Sequence, residues 1–166
     1  SKVLEQHPKI YVVSDEIYEH INFSGTFCSI ASIPGMFERT ITVNGVAKAF
    51  AMTGWRIGYI GAPEFIAKAC TKMQGQVTSG ANSIAQRATI TAVDADPSVL
   101  NEMVAAFKSR RNLVVGLINN IPGLKLNVPE GAFYVFPDVS SYFGKTLREK
   151  LINNADDFSM YLLSEA

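Results

Sequence analysis

Three charged residues stand where short apolar runs begin or end: Asp15 after Lys9–Val13, Lys48 beyond Ile41–Val43, and Arg56 at the head of Arg56–Ile60. Ligands of open α/β sheets bind outside the carboxyl ends of strands, so an acid, an amine and a guanidinium at such ends can share one site. Lys48 is the most informative of the three. It follows the tight Asn44-Gly45 turn, has no carboxylate beside it, and lies among Ala47, Ala49, Phe50, Ala51 and Met52. An amine carried on an apolar stretch is the type that condenses with carbonyls to form Schiff bases. Plain structural roles are open to each residue as well. Asp15 can cap a helix over Glu16–Ile21, Lys48 can be a solvated loop lysine, and Arg56 can pair with a surface acid.

The elements that must position these groups alternate in character. Lys9–Val13, Ile41–Val43 and Arg56–Ile60 are short, partly β-branched runs bounded by Ser14-Asp15, Asn44-Gly45 and Gly61-Ala62-Pro63. Glu64–Gln74, opened by Pro63, and Ala81–Ala95 have helical period. This alternation predicts an α/β sheet with covering helices. Beyond Asp96-Pro97 the pattern changes. A long amphipathic helix is expected over Ser98–Asn120, stopped by Pro122-Gly123. A hairpin is expected from Leu124–Val128 and Ala132–Phe136, and short helices over Lys145–Ile152 and Asp156–Ser164. A domain change is therefore placed near Asp96-Pro97, with α/β before it and α+β after.

Composition narrows the partners. In 166 residues, 15 Lys+Arg balance 15 Asp+Glu. Without a basic excess there is no electrostatic drive toward nucleic acid or an anionic membrane. No apolar run approaches the roughly 20 residues that span a bilayer. The polar start SKVLEQHPKI does not read as a secretory signal. Cys28 and Cys70 form no Cys-x-x-Cys pair and read as free thiols of a reducing compartment, which points to the cytoplasm. The chain begins with Ser, and DDFSMYLLSEA carries no helix stop, so both ends are expected to be cut. His7 and His20 lack ligand spacing, and no metal is expected.

The wording around Lys48 is specific. Gly45-Val46-Ala47-Lys48 followed by Ala51-Met52-Thr53-Gly54-Trp55-Arg56-Ile57-Gly58 resembles the pyridoxal-phosphate attachment site of class I (fold type I) aminotransferases. Its Asn-Gly start and Met-Thr-Gly-Trp-Arg core are similar to the bacterial aspartate aminotransferase branch. Ser14-Asp15-Glu16-Ile17-Tyr18 upstream and Pro129-Glu130-Gly131-Ala132-Phe133-Tyr134 downstream resemble two further blocks, in the family's order.

The resemblance implies a cofactor, pyridoxal 5'-phosphate, and a role for four residues. Lys48 resembles the Schiff-base lysine, which also moves the substrate proton. Asp15 resembles the acid on the pyridinium nitrogen, where a carboxylate favours the charged ring. Tyr18 resembles the tyrosine on the ring's phenolic oxygen. Arg56 resembles the arginine on the phosphate, to which a guanidinium can donate two parallel bonds. Residues 1–97 would be the C-terminal part of the large cofactor-binding domain, and 98–166 part of the small domain. The implied reaction is ping-pong transfer of an amino group between aspartate, or a related amino acid, and 2-oxoglutarate, in a homodimer.

The pattern departs from the family in places. Gly45 and Ala47 stand where many relatives carry a hydroxyl near the phosphate. The phosphate-capping glycine loop, the aromatic on the ring, the Asn-Pro motif and the carboxylate-gripping arginine have no counterpart here. None of Arg87, Arg110, Arg111 or Arg148 has the setting for that last role, so the 166 residues alone are expected to be inactive. Alternatives are an aromatic aminotransferase, a carbon–sulfur lyase, an aminotransferase-like sensing domain of a transcription regulator, or an inert fragment. The Val77–Ser83 loop approaches a neighbouring subunit's site in the family, and caps helices equally well. Phe133 and Tyr134 read as pocket border or core, and Arg110-Arg111 as a solvated helix face.

Overall fold

The computed structural model describes residues 2–165. They divide between two compact units, Ser1–Val104 and Ala105–Ala166. In the first, β-branched Val12-Val13 and Thr40–Val43 form extended backbone, where branched side chains pack best. Strand β1 (Val12–Asp15) pairs in parallel with β2 (Thr40–Asn44), and β3 (Tyr59–Gly61) pairs antiparallel with the opposite edge of β2. Helices α1 (Lys2–Glu5), α2 (Glu64–Val77) and α3 (Ser83–Val93) belong to the same unit, so the expected α/β class holds.

Register is what matters for the site. Asp15 lies opposite Val43, and Asn44 opposite Tyr59. The carboxyl ends of β1 and β2 and the start of β3 therefore share one edge of the sheet. At the other end, Arg39 gathers the segment that precedes β1. Its Nε donates to the Ile10 carbonyl (3.0 Å), Nη1 to Leu4 (3.1 Å) and Nη2 to His7 (2.6 Å). Thr40 is buried, and its hydroxyl donates to the Met36 carbonyl at 2.8 Å. Ile21, Met36, Val46, Ala49, Ala85 and Leu100 form the unit's buried apolar positions.

The helices start where the sequence says they should. Pro63 precedes α2, whose first turn carries a Glu64–Lys68 ion pair. The side-chain oxygen of Asn82 accepts from the backbone N–H groups of Ile84 and Ala85, capping α3. The Asp96-Pro97 step opens a 3₁₀ turn (Pro97–Leu100) that leads into α4 (Asn101–Asn119). The division into units falls within α4. In the second unit, α5 (Ala155–Glu165) follows a hairpin of β4 (Lys145–Leu147) and β5 (Lys150–Ile152).

Several elements differ from expectation, each for a local reason. Lys145–Ile152 is that hairpin rather than a helix: Arg148 and Glu149 adopt φ of 41° and 71°, the left-handed pair that closes a two-residue turn. Segments 124–128 and 132–136 are not strands. Lys125 of the first segment bridges Asp138, two residues beyond the second, and Ala132 at φ 56° interrupts the extended run. Residues 16–21 form successive i→i+3 turns and no helix: Glu19 N–H returns to Glu16 and Ile21 N–H to Tyr18, while the Glu16 N–H extends the sheet ladder to the Val43 carbonyl at 2.8 Å. β1 starts at Val12 because Ile10 closes a turn onto His7. β3 starts only at Tyr59 because Arg56 is left-handed.

Candidate active site at the carboxyl edge of the sheet

The edge shared by the strand ends carries the residues singled out from sequence. Asp15 closes β1. Its Oδ1 accepts from the Ile17 N–H at 3.2 Å, a local turn that fixes the carboxylate at the strand end while leaving it exposed. Tyr18, three residues on, is half-buried in the same turn, which Glu19→Glu16 and Ile21→Tyr18 backbone bonds of 2.9 Å close. Beneath this turn lies Glu16, 6% exposed, whose carboxylate accepts the Ser29 hydroxyl at 2.8 Å.

Lys48 is half-buried on the turn that leaves β2. Its neighbours anchor that turn: Gly45, Val46 and Ala49 are buried, and the Ala51 N–H returns to the Lys48 carbonyl at 3.2 Å. A Cβ on Gly45 would stand 2.9 Å from the Ile57 carbonyl oxygen and 3.2 Å from Gly58 Cα. The strand leading to Lys48 is thus pressed against the backbone returning toward β3, and only glycine fits.

Arg56 sits on that return segment. The 3₁₀ turn Thr53–Trp55 is flanked by Ala51 and Arg56 with φ of 53° and 55°. Such left-handed conformations cost roughly 1–2 kcal/mol each for residues with a Cβ, and strain of this kind clusters at functional sites. Nη1 of Arg56 donates to the Thr53 carbonyl at 2.8 Å, and the exposed guanidinium lines an open cleft of about 990 Å³ with Trp55, Thr78, Asn82 and Ile84. The Val77–Ser83 loop therefore borders the same cleft as Arg56, besides supplying the α3 cap. Asp15, Tyr18 and Lys48 do not line that cleft.

Two groups at this edge carried no signal in the sequence. Glu19 accepts the Asn44 side-chain amide at 2.7 Å and has His20 Nε2 at 3.4 Å. Tyr59, opposite Asn44, has its phenol pKa raised, first by burial and then by the charge of Glu19. Only spacing across the sheet brings these together, and sequence distance hides it.

In the second unit Phe107 stacks on Phe133 at 5.3 Å, and Phe133 meets Tyr134 at 4.9 Å. These rings and Val114 line a hollow of about 390 Å³. The Arg110-Arg111 pair is not simply a solvated face: Arg111 is half-buried and donates to the Pro129 carbonyl at 2.7 Å, and Arg110 lies over the Phe107 ring at 5.6 Å. Cys28 and Cys70 are free and exposed. Among the described residues no helix is long and apolar enough to cross a membrane, and no three His, Cys, Asp or Glu gather to hold a metal.

A family model described as aminotransferase class I and II matches residues 1–165. The chain belongs to this family. Aminotransferases of this kind are pyridoxal-phosphate enzymes, as the motif resemblance implied. An aspartate aminotransferase of Pinus pinaster is 46% identical over 171 aligned positions, which take in 100% of this chain and 35% of that protein. A bifunctional aspartate aminotransferase and glutamate/aspartate-prephenate aminotransferase of Petunia hybrida is also 46% identical, over 100% of the chain and 36% of its own length. The crystal structure of the aspartate aminotransferase from Rhizobium meliloti superposes with a TM-score of 0.93 at 44% identity, covering 99% of this chain and 42% of that one. The chain thus spans between about a third and two fifths of these aminotransferases.

Proposed function

We propose that this chain is the lysine-bearing segment of a pyridoxal-phosphate-dependent transaminase acting on aspartate, with 2-oxoglutarate as a partner keto acid. The observation that carries the reading is the register of β1 and β2: Asp15 pairs with Val43, so the acid and the turn bearing Lys48 leave the sheet along one edge. The donor set there suits the cofactor chemically. The two turns offer a carboxylate, a phenol and a half-buried amine, and Arg56 on the segment returning to β3 offers a guanidinium, one group for each polar feature of a phosphorylated pyridine aldehyde.

When bound, pyridoxal phosphate supplies an electron sink for the pair left as a substrate Cα–H bond breaks. The roles of the chain's own groups follow. Asp15 holds a proton at the ring nitrogen by pairing with the charged form. Tyr18 hydrogen-bonds the ring's phenolic oxygen. Arg56 donates to the phosphate, and its fork suits that geometry better than a lysine would. Lys48 would hold the cofactor through its Nζ at the aldehyde carbon, with the aldehyde oxygen leaving as water, and its amine would serve as the base for the substrate α-proton.

Residues 1–97 would then be cofactor-domain sequence and 98–166 small-domain sequence, in a cytoplasmic homodimer. The apolar side chains that α2 and α3 leave exposed, Met73, Val77 and Ile84 among them, support an interface. A second reading has prephenate as the keto acid. It rests on the Petunia relative, whose name carries both activities.

The test uses the product of the complete reading frame encoding these residues. Borohydride reduction after incubation with pyridoxal phosphate should fix the cofactor to Lys48, detected by peptide mass. In a parallel, unreduced sample, supply of aspartate and 2-oxoglutarate should yield oxaloacetate. Absence of a labelled Lys48 peptide would overturn the assignment, and keto-acid preference would separate the two acceptors.

A further inference from the structure

The Asn44 side chain works in two directions. Its amide donates to Glu19 Oε1 at 2.7 Å, while its carbonyl oxygen accepts from the Gly45 N–H at 2.7 Å. Asn44 ends β2, and Glu19 lies in the turn that leaves β1. The pair therefore ties the turn holding Asp15 and Tyr18 to the turn holding Lys48, beyond the point where the backbone ladder stops. Slack is small at this junction: a Cβ on Gly45 would meet Ile57 and Gly58 backbone, and would touch Ile17 Cδ1 at 3.4 Å. Ile17 belongs to the first turn, so any side chain at position 45 would crowd that turn as well. The Glu19 side chain is 28% exposed, screened on one side by His20. A partly buried charge-assisted hydrogen bond is both shorter and stronger than a neutral one.

We propose that Glu19 and Asn44 are positioning residues that set the separation between Asp15 and Lys48 by clamping the two turns. The inference rests on the function proposed above. Neither residue supplies a reacting group; each acts through the turn it holds. A misplacement of about 1 Å at a reacting group can cost on the order of a hundredfold in rate, so a clamp at this place matters to chemistry more than to folding.

The product of the complete reading frame is compared as wild type, Asn44→Asp, Glu19→Gln and the double variant Glu19→Gln/Asn44→Asp. Asn44→Asp keeps the acceptor for Gly45 but sets a carboxylate against Glu19. Glu19→Gln keeps the acceptor for Asn44. The double variant restores one hydrogen bond with donor and acceptor exchanged. The readouts are the rate of borohydride fixation of pyridoxal phosphate at Lys48, and the thermal midpoint as a check on folding. Asn44→Asp should slow fixation by about tenfold, with Glu19→Gln near wild type and the double variant recovering most of the loss. Should Asn44→Asp not fold, Glu19→Ala removes the acceptor without adding charge and carries the same comparison. Equal fixation in wild type and in the variants lacking the clamp, or a double variant no better than Asn44→Asp, would overturn the inference while leaving the function standing. A wild type that takes no label would defeat the function itself.

Discussion

Ser29 and Glu16, thirteen residues apart, are joined by a 2.8 Å hydrogen bond from the serine hydroxyl to a carboxylate that is almost wholly out of solvent. The same serine oxygen accepts from the Ala31 N–H. A glutamate is thereby held under the turn of Asp15 by a hydroxyl from the long β1–β2 connection. Removing the hydroxyl leaves a buried acceptor short of a donor, which costs about 1–3 kcal/mol. Ser29→Ala should lower stability by that amount in urea unfolding, and Ser29→Thr should retain most of it. A change under about 0.5 kcal/mol, the range of surface substitutions, would show that Glu16 is satisfied by other means.

Gly45 and Gly61 make a matched pair for a steric prediction. A methyl at Gly45 strikes backbone atoms of Ile57 and Gly58, whereas one at Gly61 meets nothing within 4 Å. Gly45→Ala should destabilise by about 1–3 kcal/mol through overpacking, and should reduce cofactor capture because the turn of Lys48 shifts. Gly61→Ala should do neither. Calorimetric midpoints of the two variants, measured side by side, check this.

The Asp96 carboxyl is held below the usual carboxylate pKa range, first by the Ser98 backbone N–H at 2.8 Å and second by the Ser98 side chain. A depressed folded-state pKa means that the unfolded chain binds the proton more readily. The contribution is therefore present above the ordinary value of about 3.9 and is lost as pH falls through the folded value. Carbon-13 NMR titration should give a low midpoint for Asp96. Ser98→Ala should raise it only partway, because the backbone donor survives. A full return to the ordinary value would assign the shift to the hydroxyl instead.

Lys48→Ala in the product of the complete reading frame should abolish borohydride fixation and lower transamination by about 10²–10⁴-fold or more, the span of a lost general base. Lys48→Arg should fare no better, since a guanidinium that stays protonated cannot condense with an aldehyde. Retained labelling in Lys48→Ala would place the Schiff base elsewhere.

The 166-residue chain by itself should show no turnover with any amino acid and keto acid pair, because no arginine here occupies the substrate-carboxylate setting. Coupled oxaloacetate assay of the purified chain is sufficient. Measurable catalysis would mean that carboxylate recognition is built from residues within it.

The sheet and the site were legible to different degrees, for physical reasons. β2, α2, α3 and α5 announced themselves through branched runs, Pro63 and helical period, all of which are local signals. The candidate site residues were named because three motif blocks resemble a known family. The hairpin over 145–152 was hidden because its closure depends on Arg148 and Glu149 taking left-handed conformations that neither residue type advertises. Segments 124–128 and 132–136 have strand-like composition, but composition does not supply a ladder partner. The Glu19–Asn44 contact spans 25 residues of sequence, and no periodicity encodes such a pairing.

Arg39 immediately precedes Thr40, the residue that faces Val12 at the first rung of the parallel pair. By gripping three carbonyls of the incoming segment, its one rigid fork decides where β1 begins alongside β2. Every later rung inherits that choice, and a slip of a single residue would turn Asp15 to the opposite side of the sheet. The alignment of an acid with an amine is thus dictated some 10 Å away, by analogy with a zipper whose teeth mesh correctly only if the first is seated.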